Sequence, residues 1–148
     1  MKKELSEYTA NTLPEDWVFM VDYNEKCVDL KLITTLIDFK GKKVLDIGCE
    51  DGVIMAYLKN DFGCEVAGIN NGMCLPATGA NEYTQTNLNE IHQYIKSGDM
   101  HDIPFEDDTF DIVYISHTLE HSIAPFVVLS EIKRVLKLNG VVIIIQPE

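Results

Sequence analysis

Long apolar runs are missing from this 148-residue chain. Its longest unbroken aliphatic stretch, Val141 to Ile145, falls far short of the roughly 20 residues a membrane helix needs. No membrane association is therefore expected. Basic residues are scarce: 12 Lys and Arg stand against 24 Asp and Glu, for a net charge of −12. Such a field repels phosphate backbones and anionic surfaces, which argues against nucleic acid as a substrate. Cysteine is sparse as well, with residues 27, 49, 64 and 74 at irregular spacing and no C-x-x-C pair. The expectation is reduced thiols in a cytoplasmic protein. The opening Met1-Lys-Lys-Glu-Leu-Ser-Glu has no apolar segment behind its lysines, so no signal peptide is expected. No repeat, linker or low-complexity tract interrupts the chain. Its length and 46% hydrophobic content suit a single domain, 1–148, with one core.

What is present is organised around Val44-Leu-Asp-Ile-Gly-Cys-Glu-Asp-Gly52. Residues 43–47 read as a buried strand that breaks at Gly48, and Val53 to Leu58 reads as a helix. A strand turning through glycine into a helix brings backbone N–H groups and a positive dipole end beside a crevice. Open α/β sheets hold nucleotide-like ligands in this way. The dinucleotide fingerprint is G-x-G-x-x-G, whereas this turn is G-x-x-x-G with Glu50 inside it, so a nucleotide-binding oxidoreductase is disfavoured.

The remaining chain alternates in the same manner. Residues 1–23 are polar, with Trp17, Phe19 and Tyr23 expected to pack on the core. Asn24 to Phe39 reads as a helix from Cys27, Leu30, Ile33 and Ile37. Asn60 to Gly63 reads as a turn, and Glu65 to Ile69 as a second strand ending at Asn70. Residues 71–82 carry the small-residue signals of a loop. Tyr83 to Tyr94 is a weak helix, and Tyr94 to Ser97 a short third strand. Phe110 to Ser116 is near-continuously apolar, as a central parallel strand is. Pro125 to Leu138 reads as a helix with proline in its first turn and Lys133, Arg134 and Lys137 toward its negative end. Asn139-Gly140 is expected to stop it before a fifth strand, Val141 to Gln146.

The glycine turn resembles the first motif of the class I S-adenosylmethionine-dependent methyltransferases, acidic-x-G-x-G-x-G. Asp46, Gly48 and Gly52 match, and Glu50 replaces the middle glycine. Residues Asp99 to Asp111 resemble the family's G-D-x-x-x-L-P-F-x-D-x-x-F-D run, spacing included, and this is the most specific signal in the chain. The helix end is similar to R-x-L-K-P-G-G, with Asn139 for proline. Over roughly residues 40–146 the resemblance implies an α/β fold, a doubly wound Rossmann-like parallel sheet in the order 3-2-1-4-5. A helical N-terminal cap (1–40) would precede the cofactor-binding core (41–148).

The resemblance also implies S-adenosylmethionine as cofactor and methyl transfer to a small-molecule acceptor. The turn from Gly48 through Cys49 to Gly52 would carry the methionine part, with Asp46 buried beneath it. Asn70 would serve the ribose in place of the family's Asp or Glu. Asp99 would accept from the adenine amino group, with Met100 against the ring and Ser116 and His117 at the rim near the sulfonium. His117 and His121 are the candidate bases. Together with Glu120 they also spell H-x-x-E-H, the inverted zinc-protease signature. That motif needs a helix, and here it directly follows a buried strand, so no metal is expected. Many small-molecule methyltransferases carry a similar L-E-H there.

In this family two further strands form a hairpin beside the fifth. The sequence ends at Pro147-Glu148, so the C-terminal hairpin is expected to be missing. The edge 141–146 would then be covered by a second copy, by the N-terminal residues or by further sequence. An alternative reading follows from Glu50, Asn70 and the missing hairpin: a truncated, catalytically inactive S-adenosylmethionine-binding or assembly module.

Overall fold

A computed structural model describes residues 32–72 and 90–146. Strand β1 (Lys43–Ile47) is apolar on both faces after Lys43 apart from Asp46, and that composition suits the middle of a sheet. It leads through the glycine turn into α1 (Val53–Phe62) and then β2 (Glu65–Asn70). Strands β3 (Ile95–Ser97) and β4 (Phe110–Ser116) follow, then α2 (Pro125–Val135) and β5 (Leu136–Ile145). The five strands are all parallel, in the order β3-β2-β1-β4-β5.

The alternation of side chains along each strand divides the core in two. Val44, Ile112 and Tyr114 pack with Met55 and Leu58 of α1. Leu45, Ile47, Val113 and Ile115 pack with Val128, Ile132 and Val135 of α2 on the other face. The chain thus leaves β1 and β4, which are neighbours, toward opposite sides. A crevice opens at their carboxyl ends for that reason.

Helix boundaries differ from the sequence expectation in instructive ways. Helix α1 runs on through residues 60–62 and ends only at Gly63 (φ 64), whose N–H bonds the Lys59 carbonyl at 3.0 Å. Phe62 is drawn into the helix by its packing on Tyr57 and Phe39, with ring centroids 5.5 and 6.1 Å away. Helix α2 starts at Pro125 as expected but stops at Val135, three residues early. Leu136 turns extended (φ −83, ψ 131) because it pairs with Phe110 at the start of β4. Asn139-Gly140 is therefore a kink inside β5, with Asn139 at φ 66, and β5 does not wait for Val141.

The β4–β5 register shifts between Phe110 and Ile112, which behaves as a bulge and puts those two residues on opposite faces. Asp111 at the shift accepts from the Lys43 N–H (2.8 Å) and from Lys137 Nζ (3.0 Å).

Of the expected helix over Asn24–Phe39, residues 32–36 are helical, and Phe39 is buried in the α1-side core. Residues 24–31 and the aromatics Trp17, Phe19 and Tyr23 lie outside the described residues, as does most of the 71–82 loop. Of the helix expected over Tyr83–Tyr94, residues 90–92 are helical, and strand three begins at Ile95. Among the described residues no helix is long and apolar enough to cross a membrane.

Candidate functional site

The crevice is built by turns that leave β1, β2, β3 and β4 at the same end of the sheet. After Ile47 the chain bends at Gly48 (φ 75). A Cβ on Gly48 would stand 2.2 Å from Thr118 Oγ1, so the turns after β1 and β4 touch there and only glycine fits. Thr118 Oγ1 in turn donates to the Ser116 carbonyl at 3.0 Å. The N–H groups of Gly48 and Cys49 both go to the Ile69 carbonyl, at 2.9 and 3.3 Å. They staple the turn to β2 and do not face a ligand, contrary to the expectation for this turn.

Glu50 (φ 50) adopts a left-handed conformation in this turn, and His117 (φ 50) does the same after β4. Each costs about 1–2 kcal/mol relative to an ordinary conformation, and such strain gathers at functional sites. His117 is held in place by its N–H bond to the Ile145 carbonyl at 2.9 Å.

The resulting cavity is open and measures about 750 Å³, within the range of about 300–1,000 Å³ usual for small-molecule sites. Ile47, Gly48 and Glu50 line it from β1, Ile69 and Asn70 from β2, and Gly98 to His101 from β3. His117, Thr118, His121 and Ile123 close the β4 side. The carboxylates on this wall are Glu50 and Asp99, and no Lys or Arg lines it among the described residues. Asp99 Oδ1 accepts both the His101 N–H (2.8 Å) and His101 Nδ1 (2.6 Å). Those bonds, the backbone one first, hold the Asp99 carboxyl below its ordinary range.

Of the residues singled out from sequence, Gly48, Asn70, Asp99, Met100, His117 and His121 come together on this one cavity. Asp46, Cys49 and Ser116 do not. They line a separate cavity of about 10 Å³ on the α1 side of the turn, alongside Asp51 and Tyr114. Strand alternation is the reason: Asp46 stands opposite Tyr114 in the β1–β4 register and shares its face, two residues from Ser116.

Asp46 and Ser116 are buried there, and Ser116 Oγ has no hydrogen-bond partner among the described residues. Burial raises the Asp51 carboxyl beside them. Cys49 packs its Sγ against Gly68 in the core, where a Cβ would lie 2.6 Å away. Gly52 (φ 82) is the N-cap of α1, wedged against Ile91 and Ile95, and belongs to neither cavity wall.

His101, Thr118 and Ile123 were missed by the sequence reading. A polar residue two positions after an Asp was the available signal for His101, since that spacing closes an Asx turn. The H-x-x-E-H segment is no α-helix: Leu119–His121 forms a single 3₁₀ turn after β4. Among the described residues no group of His, Cys, Asp and Glu could hold a metal ion.

Comparison with known proteins agrees with this geometry. Residues 45–144 match a family described as a methyltransferase domain. The sterol 24-C-methyltransferase erg6 of Schizosaccharomyces pombe is 37% identical over 101 residues, covering 68% of this chain and 26% of the relative. The chloroplastic tocopherol O-methyltransferase of Arabidopsis thaliana is 29% identical over 142 residues, covering 89% and 40%.

Among solved structures, a putative sarcosine dimethylglycine methyltransferase from Galdieria sulphuraria superposes with a TM-score of 0.62 at 26% identity. That superposition covers 80% of this chain and 43% of the other. The chain thus spans between a quarter and two-fifths of the length of these curated relatives. With the family match running from β1 to the end of β5 and the sheet in the order 3-2-1-4-5, the chain belongs to the class I S-adenosylmethionine-dependent methyltransferases.

Proposed function

We propose that this chain binds S-adenosylmethionine in the 750 Å³ crevice and passes its methyl group to a small, uncharged or cationic, largely apolar acceptor. One observation carries the reading: an apolar floor, an amide and a carboxylate converge on a single cavity at the switch point of the sheet. The donor set fits the cofactor. Ile47, Ile69 and Met100 offer apolar surface to a nucleobase, and Asn70 offers an amide to ribose hydroxyls. Asp99 can only accept, which suits an amino group. Glu50 and Asp99 together give the wall a negative potential that suits a sulfonium cation.

When bound, the cofactor supplies an electrophilic methyl group on a positively charged sulfur. The chain's own residues have to orient the reactants and exclude water. Asp99 on the wall, with no Lys or Arg beside it among the described residues, disfavours a carboxylate or phosphate acceptor. Ile123 lies on the same wall with 97% of its surface exposed, which supports an apolar acceptor. So does the likeness to sterol and tocopherol methyltransferases. His117 and His121, on the β4 side, stand where a base could take a proton from an acceptor hydroxyl or ammonium group.

Titration calorimetry with S-adenosylmethionine and S-adenosylhomocysteine tests the reading. Binding is expected, and absence of binding at millimolar ligand would remove it. Binding without turnover on any neutral or cationic acceptor would favour an inactive module instead.

Two further elements belong to the proposal. A cytoplasmic location is supported by Cys64, a buried free thiol that burial pushes up to about 11. Pairing of the outer strand β5 with a second copy is supported by Val141, Val142 and Ile144, which are 38–41% exposed on it. Light scattering is expected to report a dimer, and a monodisperse monomer would remove that element.

A further inference from the structure

A chain of hydrogen bonds crosses the cavity wall from the loop after β3 to the start of α2. The Ala124 N–H donates to Ser122 Oγ at 3.0 Å. Ser122 Oγ lies 2.8 Å from His101 Nε2, and His101 Nδ1 lies 2.6 Å from Asp99 Oδ1. A backbone N–H only donates and a carboxylate only accepts, so Ser122 accepts from Ala124 and Nδ1–H donates to Asp99. Ser122 Oγ and His101 Nε2 share the remaining bond, whose direction follows the tautomer of the ring.

The order of residue types is that of a hydrolytic triad, but the setting differs. The Asp99 side chain is 66% exposed, not buried, and Ser122 is closed on Ala124 in a tight turn. The arrangement is a strut. Both bonds from His101, through its N–H and its ring, fall on Oδ1 of Asp99. Oδ2 takes no bond among the described residues, on a side chain that lines the cavity. At its other end the strut grips Ser122, between His121 and Ile123 on the acceptor side.

We propose that His101 is a positioning residue: it holds Asp99 Oδ1 so that Oδ2 meets the amino group of a bound adenine, and through Ser122 it fixes that contact relative to the turn carrying His121 and Ile123. This rests on the cofactor reading above. It differs from that reading in making adenine selectivity depend on a residue outside direct nucleobase contact.

The test compares S-adenosylhomocysteine with S-inosylhomocysteine, in which a carbonyl replaces the amino group. The wild-type chain is expected to prefer the adenine ligand. His101→Ala should reduce that preference by about threefold or more, a part of what a charge-assisted hydrogen bond is worth. Ser122→Ala should reduce it in the same direction, and Ser122→Thr, which keeps the hydroxyl, should retain it. Should His101→Ala fail to fold, Ser122→Ala against Ser122→Thr carries the same comparison.

Equal losses for both ligands in His101→Ala, with the preference intact, would overturn the proposal and leave a purely structural residue. A wild-type chain that binds both ligands equally would also overturn it while leaving the cofactor site standing. Absence of binding to either ligand would overturn the cofactor reading and this proposal together.

Discussion

The segment Asp99 to Asp111 has two halves that do different things. The first, Asp99 to His101, opens on the cavity and spends its hydrogen bonds on shaping Asp99. The second, from Ile103 on, is fastened to α2. Arg134 donates to the Ile103 and Phe105 carbonyls at 2.9 and 2.8 Å and to Asp107 Oδ1 at 2.8 Å. It also grips both oxygens of Glu131, and Glu131 Oε2 accepts the Ile103 N–H at 2.8 Å. The Asp108 and Thr109 N–H groups go to the Arg134 and Val135 carbonyls. Phe105 stands edge-on to the buried Phe110, with centroids 5.1 Å apart. A run that looks like one motif is thus a cavity wall followed by a clasp. How recognisable a motif is says nothing about how much of it touches a ligand.

The sharpest way to break this division is Arg134→Met, which keeps the stem and removes every guanidinium donor of the clasp. Stability should fall by about 2–3 kcal/mol, because carbonyls and carboxylates built around one guanidinium lose it at once. The figure is kept low because Arg134 is 30% exposed and water replaces part of what is lost. Denaturant midpoints measure it. Affinity of the folded protein for S-adenosylhomocysteine should stay within about twofold, since Arg134 does not line the cavity. Loss of binding without loss of stability would abolish the distinction.

The complementary change is Asp99→Ala. Here affinity for S-adenosylhomocysteine should drop by about tenfold, the scale of one charge-assisted hydrogen bond. The unfolding midpoint should hardly move, because an exposed carboxylate engaged mainly with its own loop contributes little to folding. A large midpoint shift would mean that the first half is scaffold too.

Why the two halves could not be separated from sequence follows from where their partners lie. Strand positions were legible because β1, β2 and β4 are apolar runs bounded by turn residues, and the sheet order follows from the family pattern. Gly48, Asn70, Asp99, Met100 and His117 were legible as neighbours because each follows the carboxyl end of a strand. Cys49 and Ser116 line the small cavity on the other side of the same turn, which position along the chain does not announce; Asp46 and Ser116 share the face of Tyr114 by strand alternation.

The strut from His101 depends on Ser122, 21 residues on, and the clasp depends on Arg134. Such contacts exist only once the loop after β3 is laid along α2, and no local pattern announces them. The end of α2 was misjudged for a similar reason. Asn139-Gly140 has the residue types of a helix stop, but the pairing of Leu136 with Phe110 is a long-range contact and overrides it.

Acid titration separates the halves more gently. The Arg134 guanidinium, with the Ile103 N–H helping, holds the Glu131 carboxyl below its ordinary value of 4.5. A carboxyl lowered in the folded state stabilises fully above its unfolded value and loses that contribution as pH falls through the folded one. The clasp should therefore hold down to about pH 4.5 and weaken as pH falls further. Glu131→Gln should be less stable than wild type at pH 7 and approach it as pH falls below 4.5, giving a flatter acid limb. Asp99 is lowered as well, by the His101 N–H first, but its side chain is two-thirds exposed and solvent screens the effect. Asp99→Asn should therefore leave the acid limb nearly parallel to wild type. Equal flattening by the two substitutions would place both carboxylates in one electrostatic unit. The wall and the clasp would then be parts of a single device, and only the binding measurements could tell them apart.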